Sequence, residues 1–147
     1  MKDDSSVAND KFSELIDAIQ TQDINTLKSL FSKNALKEAE NLDESIRHLF
    51  DYLQGELVSY NNWGGPGVKA EVEYGDYQEV YDATYDFETA QDKYRLWMEI
   101  ITADTTDADN VGIRSLYIIR FEDDTRTDFA YRGDGEHTPG INIGKTK

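Results

Sequence analysis

The hydrophobic period of the chain changes once, at Gly55, and this change limits the possible folds more than any other feature. Before Gly55, apolar residues recur every three or four positions, which is typical of helices that each bury one face. After Gly55, apolar and polar residues alternate along several stretches, which predicts strands. A block of helices followed by a block of strands predicts an α+β domain.

Three helices are predicted before Gly55. Their apolar stripes are Phe12, Leu15, Ile16 and Ile19, then Ile24, Leu27, Leu30 and Phe31, then Ile46, Leu49, Phe50 and Leu53. Residues 32–42 hint at a short additional helical turn. The polar residues 1–8 predict a flexible tether, followed by a single domain over residues 9–147.

The strands are predicted to form a strongly curved antiparallel sheet with the three helices packed in its concavity. The predicted strands are Glu56–Asn62, Val68–Tyr74, Tyr77–Phe87, Lys93–Ala103 and Gly112–Glu122. Short turns between consecutive strands predict that they pair as a meander. Glycines and a proline in residues 63–67 predict a loop, with Trp63 at its start.

The strand Lys93–Ala103 carries apolar residues on both faces. Tyr94, Leu96, Met98 and Ile100 form one face, whereas Trp97 and Ile101 lie on the face that should meet water. Alternation places Val80, Trp97, Ile101, Leu116 and Ile118 together on the convex side, surrounded by Arg95, Glu99, Arg114 and Arg120. An apolar centre with a charged rim is typical of a covered patch or an interface. We therefore expect Trp97 to be buried, either by a second copy or by the tail carrying Ile141 and Ile143.

The charge of the chain argues against nucleic acid as a partner. Thirty acidic residues face fifteen basic ones, which gives a formal net charge of −15. Such a field repels phosphate backbones and anionic lipids. The chain has no cysteine, which excludes disulfides, thiolate nucleophiles and cysteine-bound metals.

Short segments of the chain resemble a known family. The segments "LFSKNAL" (residues 30–36), "DKYRLWMEIITADTTDADNVGIRSLYIIR" (92–120) and "FAYRGDGEHTPGINIG" (129–144) are similar to a family of uncharacterised lipoproteins from Firmicutes. That resemblance implies one extracytoplasmic domain of unknown function, held at the membrane only by a lipid anchor that this chain does not include. The order of helices and strands resembles the nuclear-transport-factor-two-like (NTF2-like, or cystatin-like) fold, which implies a cone-shaped sheet.

Enzymes with this fold place an acid and a tyrosine inside the cone, so Glu79 and Tyr81 are the catalytic candidates. A carboxylate removed from water has a raised pKa and can transfer protons near neutral pH. The aromatic residues Trp63, Tyr77, Tyr85, Tyr94 and Tyr117 are the ligand-binding candidates. The alternative is that the tyrosines fill the core and send their hydroxyls to its rim.

Neither a metal nor a cofactor is predicted. The acidic loop from Asp104 to Asn110 offers oxygen ligands, but Val111 and Ile118 stand where a calcium-binding EF-hand loop requires acidic or amide residues. A turn rich in Asp and Asn is the simpler interpretation. His48 and His137 are too far apart in the sequence to indicate a zinc site.

Three functions remain open on the sequence alone. The first is a non-enzymatic module that binds a small molecule or a protein on the outside of the cell. The second is a small-molecule enzyme of the ketosteroid-isomerase type that uses Glu79 and the tyrosines. The third is a structural homodimer formed through the sheet.

Overall fold

A computed structural model of the chain describes residues 4–62, 67–124, 134 and 136–145. Four helices precede a six-stranded sheet, so the predicted α+β class is confirmed. The helices are α1 (Asp4–Gln20), α2 (Ile24–Leu30), α3 (Lys33–Glu38) and α4 (Leu42–Tyr52). The strands are β1 (Leu57–Asn62), β2 (Gly67–Glu73), β3 (Asp76–Thr89), β4 (Lys93–Asp104), β5 (Gly112–Arg120) and β6 (Gly140–Ile143). No helix in these described ranges is both long enough and apolar enough to cross a membrane.

The helices differ from the prediction in number and at the N-terminus. The helical turn suggested for residues 32–42 is α3, which Ser32 caps by accepting a hydrogen bond from the backbone N–H of Ala35 at 3.0 Å. Helix α1 begins at Asp4 and so includes residues 4–8, which the sequence analysis assigned to a tether. The reason is that Ala8, which is fully buried, extends the stripe of Phe12 by one turn.

The sheet is open and mostly antiparallel. Strand β3 pairs with β1 along its C-terminal half and with β2 along its N-terminal half, so β1 and β2 do not form the predicted meander. Strands β4 and β5 follow in order, and β6 pairs in parallel with β5 at the far edge. The helices cover one side of this sheet, and the opposite side is called the outer face below.

A β-bulge in β5 changes which of its residues face the helices. Both Arg114 and Ser115 lie opposite Glu99, so the alternation of the strand shifts by one residue at this point. Leu116 and Ile118 therefore belong to the main core under the helices, and their predicted position on the convex side is wrong. Tyr117 and Ile119 instead lie on the outer face, where they form a small separate cluster with Trp97.

The C-terminal strand also differs from the expectation. Ile141 lies beside Leu116, and Ile143 lies beside Ile118, in the parallel register of β6 and β5. Because side chains of neighbouring strands share a face at paired positions, both isoleucines pack toward the main core. The prediction that they lie across Trp97 is therefore wrong.

Candidate functional site

Trp97 is buried on the outer face, as predicted, with 1% of its surface exposed. Its ring packs against Tyr117, at 5.8 Å between centroids, and against the edge of His137, at 5.1 Å. Its indole Nε1 lies 3.4 Å from Oδ2 of Asp82. The cover over Trp97 is therefore the segment that precedes β6, and not a second copy of the chain.

Hydrogen bonds fix this covering segment to the sheet. The backbone N–H of Thr138 donates to the hydroxyl of Tyr117 at 3.0 Å, and that hydroxyl donates to Oδ1 of Asp134 at 2.7 Å. The hydroxyl of Ser115 donates to the carbonyl of Thr138 at 2.7 Å. Burial is the main cause of a raised pKa of Tyr117, so its hydroxyl keeps its proton.

A groove lies beside this cluster on the outer face. Its floor contains the apolar side chains of Val80 and Ile101, which are paired neighbours on β3 and β4. One cavity of about 330 Å³ is lined by Lys69, Glu71, Gln78, Val80, Glu99, Ile101, Asn110 and Arg114. A second cavity, of about 340 Å³, shares Lys69, Val80 and Glu99 with the first and adds Gly67, Val68, Asp82 and His137. The two cavities are therefore contiguous, and together they are called the outer-face groove.

Glu99 is the central charged residue of the outer-face groove. Arg114 Nη1 donates to its Oε1 at 3.1 Å, and His137 Nδ1 lies 3.1 Å from its Oε2. The Glu99 side chain is 13% exposed and the Arg114 side chain 40% exposed. Within the described part of the chain, the Arg114 guanidinium makes no other hydrogen bond. Its remaining N–H groups are therefore available to an acceptor in the groove.

The end of the groove near the acidic loop is held by Asp104. Its Oδ1 accepts from Thr106 N, Thr106 Oγ1 and Asp107 N, and its Oδ2 accepts from Gln78 Nε2 and Asn110 Nδ2, all at 2.6–3.1 Å. These hydrogen bonds hold the pKa of Asp104 far below its ordinary value of 3.8, and the bond from the Thr106 side chain makes the largest contribution to this shift. The loop is thus a hydrogen-bonded turn. Among the residues whose placement is described, no cluster of three or more His, Asp or Glu side chains could hold a metal ion.

This network predicts how stability depends on pH. A carboxyl whose pKa is lowered by folding stabilises the folded state above its unfolded pKa, and this contribution is lost as the pH falls toward the folded pKa. Asp104→Asn should therefore lower the melting temperature at neutral pH, and the difference from the wild type should shrink below about pH 3.8. Thermal melts from neutral to acidic pH measure this difference. A difference that stays constant with pH would show that the Asp104 charge does not stabilise the loop.

The interior between helices and sheet is filled by the residues that were candidates for ligand binding there. Tyr85 stacks on Phe12 at 4.1 Å between centroids and donates its hydroxyl proton to Oδ1 of Asn9 at 2.6 Å. Tyr94 stacks on Phe87 at 5.1 Å, and its hydroxyl donates to the carbonyl of Tyr52. Tyr85 and Tyr94 are fully buried, and their rings are part of the hydrophobic core.

Two hydrogen bonds hold the carboxylate of the catalytic candidate Glu79. Glu79 accepts hydrogen bonds from Tyr77 Oη at 2.6 Å and from Thr102 Oγ1 at 2.7 Å. The bond from Tyr77 is the main reason why the pKa of Glu79 is lowered, so the expected rise in this pKa is wrong. Tyr81 is buried beside it, and neither residue lines the outer-face groove. A carboxylate with a lowered pKa is a weaker base near neutral pH.

The other predicted residues are distributed over several surfaces. Trp63 lies outside the described residues. Tyr117 is on the outer face and not in the concavity, because of the bulge at Arg114. Arg120, predicted on the convex rim, places its guanidinium 4.2 Å from the ring centroid of Tyr52 at the end of α4. His48 is exposed on α4.

The sequence analysis anticipated part of the groove. Glu99 and Arg114 were predicted around an apolar patch that contained Val80 and Ile101. Lys69 and His137 were missed, for different reasons. Lys69 alternates with exposed valines, so its face is defined only by the pairing of β2 with β3. His137 has a φ of 53°, a left-handed conformation that no neighbouring residue signals.

Comparison with known proteins identifies the family. No curated protein matches the chain. Residues 14–121 match a domain of unknown function (DUF5104). The matched range extends from within α1 to the end of β5 and contains every groove residue from Gly67 to Arg114, whereas His137 lies beyond it. Because this range covers most of the 147 residues, the chain belongs to the DUF5104 family.

Proposed function

We propose that this domain is a binding module whose ligand occupies the outer-face groove. The observation that carries the proposal is that an apolar floor, Val80 and Ile101, lies beside the Arg114 guanidinium, which makes a single hydrogen bond among the described residues. Small-molecule sites combine apolar contact area with a few fixed polar groups. The two contiguous cavities have the size of such sites.

Hydrogen bonds to neighbouring side chains hold three polar residues of the groove wall. Glu99 is held between Arg114 and His137, and Gln78 and Asn110 are both held by Asp104. A site whose side chains are already ordered loses less conformational entropy on binding. This arrangement supports the interpretation that the groove binds a ligand, and not the alternative that it is an ordinary solvated surface.

The charges of the groove favour a zwitterionic ligand, such as a short peptide with free termini. Arg114 offers donors to a carboxylate, because guanidinium–carboxylate hydrogen bonds are among the strongest in proteins. Lys69, whose Nζ lies 2.9 Å from Oε1 of Glu71, adds a second positive charge to the lining. Asp82 and Glu71 offer acceptors to an ammonium group at other points of the lining. A neutral zwitterion also avoids the repulsion that a net charge of −15 imposes on an anion.

The test is a titration with a short apolar peptide, trileucine, followed by amide chemical shifts. We expect the shifts of Val80, Ile101 and Arg114 to change together as trileucine is added. The C-terminal amide of trileucine should bind about tenfold more weakly, because it lacks the carboxylate that Arg114 would bind. Arg114→Gln should remove this preference for the free carboxylate.

Arg47→Gln is the matched control for Arg114→Gln. Arg47 is exposed on α4, on the other side of the sheet, and its loss changes the net charge by the same amount. The control should bind trileucine as the wild type does. Shifts spread over surfaces away from the groove, or equal affinity for the peptide and its amide, would contradict the proposal.

We propose further that the domain works outside the cell, attached to the membrane through a lipid anchor in its native precursor. The resemblance of residues 30–36, 92–120 and 129–144 to Firmicutes lipoproteins supports this location. The net charge of −15 supports a role without nucleic acid or direct lipid contact. Protease added to intact producing cells should digest the protein, and complete protection would contradict this location.

We propose an NTF2-like cone as the finer description of the fold. One support is the order of the elements, with helices before long strands. The other is the pair of β-bulges in β4 and β5, because a bulge bends the strand that contains it. An experimental structure with a flat sheet would contradict it.

A further inference from the structure

Strand β2 has one edge that is open along its full length within the described residues. It pairs with β3 on one side, and no strand within the described residues pairs with its other side. All seven of its residues are exposed, including Val68 at 41% and Val72 at 73%. Open edges with apolar side chains readily pair with another strand, and proteins usually protect them with charges or proline.

The turn after β2 defines which backbone groups point to this open edge. Tyr74 and Gly75 have φ values of 51° and 85°, the conformation of a two-residue type I′ turn. In such a hairpin the residues that flank the turn, Glu73 and Asp76, exchange both of their hydrogen bonds. Because this pattern alternates along the strand, the N–H and C=O groups of Val68, Ala70 and Val72 point outward.

The sequence of β2 is complementary to a second, antiparallel copy of itself. Residues 68–72 read Val-Lys-Ala-Glu-Val. If two copies lie antiparallel about Ala70, each Val68 faces a Val72 and each Lys69 faces a Glu71. All of the outward backbone groups then fall in hydrogen-bonded pairs of the new ladder.

We propose that two copies of this chain associate by antiparallel pairing of their β2 edges, with a two-fold axis at Ala70. The two sheets then become one continuous sheet, and the valines cover each other on the helix side. Within one chain, Lys69 Nζ lies 2.9 Å from Oε1 of Glu71. In the dimer, Lys69 of each copy also lies opposite Glu71 of the other on the outer face, and opposite charges at paired positions stabilise a ladder. This interface is isologous, so it closes at a dimer and does not propagate.

Lys69 and Glu71 belong both to this interface and to the lining of the outer-face groove, whereas Ala70 lines neither groove cavity, so a cross-link at residue 70 reports the interface alone. The interface differs from a dimer in which two sheets stack face to face, because the outer-face cluster around Trp97 is covered by the chain's own residues. Each copy carries a net charge of −15, so the copies repel one another at long range. Added salt screens this repulsion, and its range falls to about 8 Å at an ionic strength of about 0.15 M. We therefore expect dimerisation to increase with salt.

Cysteine cross-linking tests the position of the two-fold axis. The chain has no cysteine, so any disulfide that forms in a single-cysteine variant joins the introduced residue of two copies. In the proposed dimer, Ala70→Cys brings two sulfurs together at paired residues, about 5.5 Å apart between Cα atoms. Val72→Cys is the matched control, because the two copies of residue 72 lie four positions out of register, about 13 Å apart. Ala70→Cys should form a disulfide dimer under mild oxidation much faster than Val72→Cys.

Sedimentation of the reduced protein over a range of concentrations tests the charge pairs. Lys69→Glu should weaken the dimer, because it places two acids opposite each other. The double variant Lys69→Glu with Glu71→Lys restores opposite charges and should restore the dimer. Lys33→Glu makes the same charge change at an exposed site on α3 and should weaken association less than Lys69→Glu.

The outcomes separate the proposal from its alternatives. Equal cross-linking of the two cysteine variants, or a monomer at every concentration and salt, would overturn the β2 interface. A dimer that Lys69→Glu and Lys33→Glu weaken equally would place the interface elsewhere. Ala70→Pro removes the outward N–H without touching the ladder to β3, and it should leave the melting temperature nearly unchanged while abolishing the dimer.

Discussion

Replacing Trp97 with alanine is expected to lower the free energy of unfolding by about 3–5 kcal/mol, the cost of deleting a large buried aromatic side chain. Among the described residues, Trp97 is the largest fully buried side chain, and it lies on the face of the sheet opposite the helices. Its loss removes the contacts with Tyr117 and His137 together. Denaturant unfolding of the wild type and the variant measures the difference.

A second measurement shows whether Trp97 also holds the segment that covers it. The N–H of Thr138 donates to the hydroxyl of Tyr117, which packs against Trp97. Amide exchange at Thr138 should therefore accelerate in Trp97→Ala. Val58→Ala is the control on the same sheet, and it should change stability by less than about 0.5 kcal/mol because Val58 is 66% exposed. A loss below about 1 kcal/mol for Trp97→Ala would contradict its position in a buried cluster.

Gly112→Ala is the second change with a large expected effect. Gly112 has a φ of 133°, and a Cβ atom there would lie 2.6 Å from the backbone nitrogen of Ser32. That nitrogen donates to the carbonyl of Ile113 at 2.9 Å, which is where the start of α3 contacts β5. Backbone strain and overpacking together should cost about 2–5 kcal/mol.

Gly75→Ala separates these two causes. Gly75 also has a positive φ, of 85°, but no atom lies within 4 Å of the added Cβ. Its substitution should therefore cost only the conformational term, about 1–2 kcal/mol. Thermal and denaturant melts of both variants measure the contrast. Equal losses at the two positions would mean that the contact between Ser32 and β5 contributes little.

The features that depend on a regular period could be predicted from the sequence. The stripe of Phe12 and Ile19 on α1 and the core face of Tyr94 and Leu96 on β4 follow directly from helical and strand periodicity. For both of these stripes, nearest-neighbour geometry along one element determines the answer. The burial of Trp97 was predicted from an apolar patch that included Leu116 and Ile118, but its neighbours in the buried cluster are Tyr117 and Ile119.

The features that depend on an interruption of the period could not be predicted. The bulge at Arg114 exchanges the faces of Leu116 and Tyr117, and both faces of β5 are apolar enough to fit either register. His137 reaches Glu99 through a left-handed backbone that its neighbours do not require. Two contributions to the groove, Lys69 and His137, come from segments whose positions depend on pairing between distant parts of the chain.

We propose that the functional surface is the groove on the outer face of the sheet and not the filled interior under the helices. The most direct measurement is a map of amide chemical-shift changes during titration with trileucine. We expect the largest changes at Val80, Ile101 and Arg114, with their loss in Arg114→Gln and their retention in Arg47→Gln. Changes centred on Tyr85 and Tyr94 instead would contradict this claim.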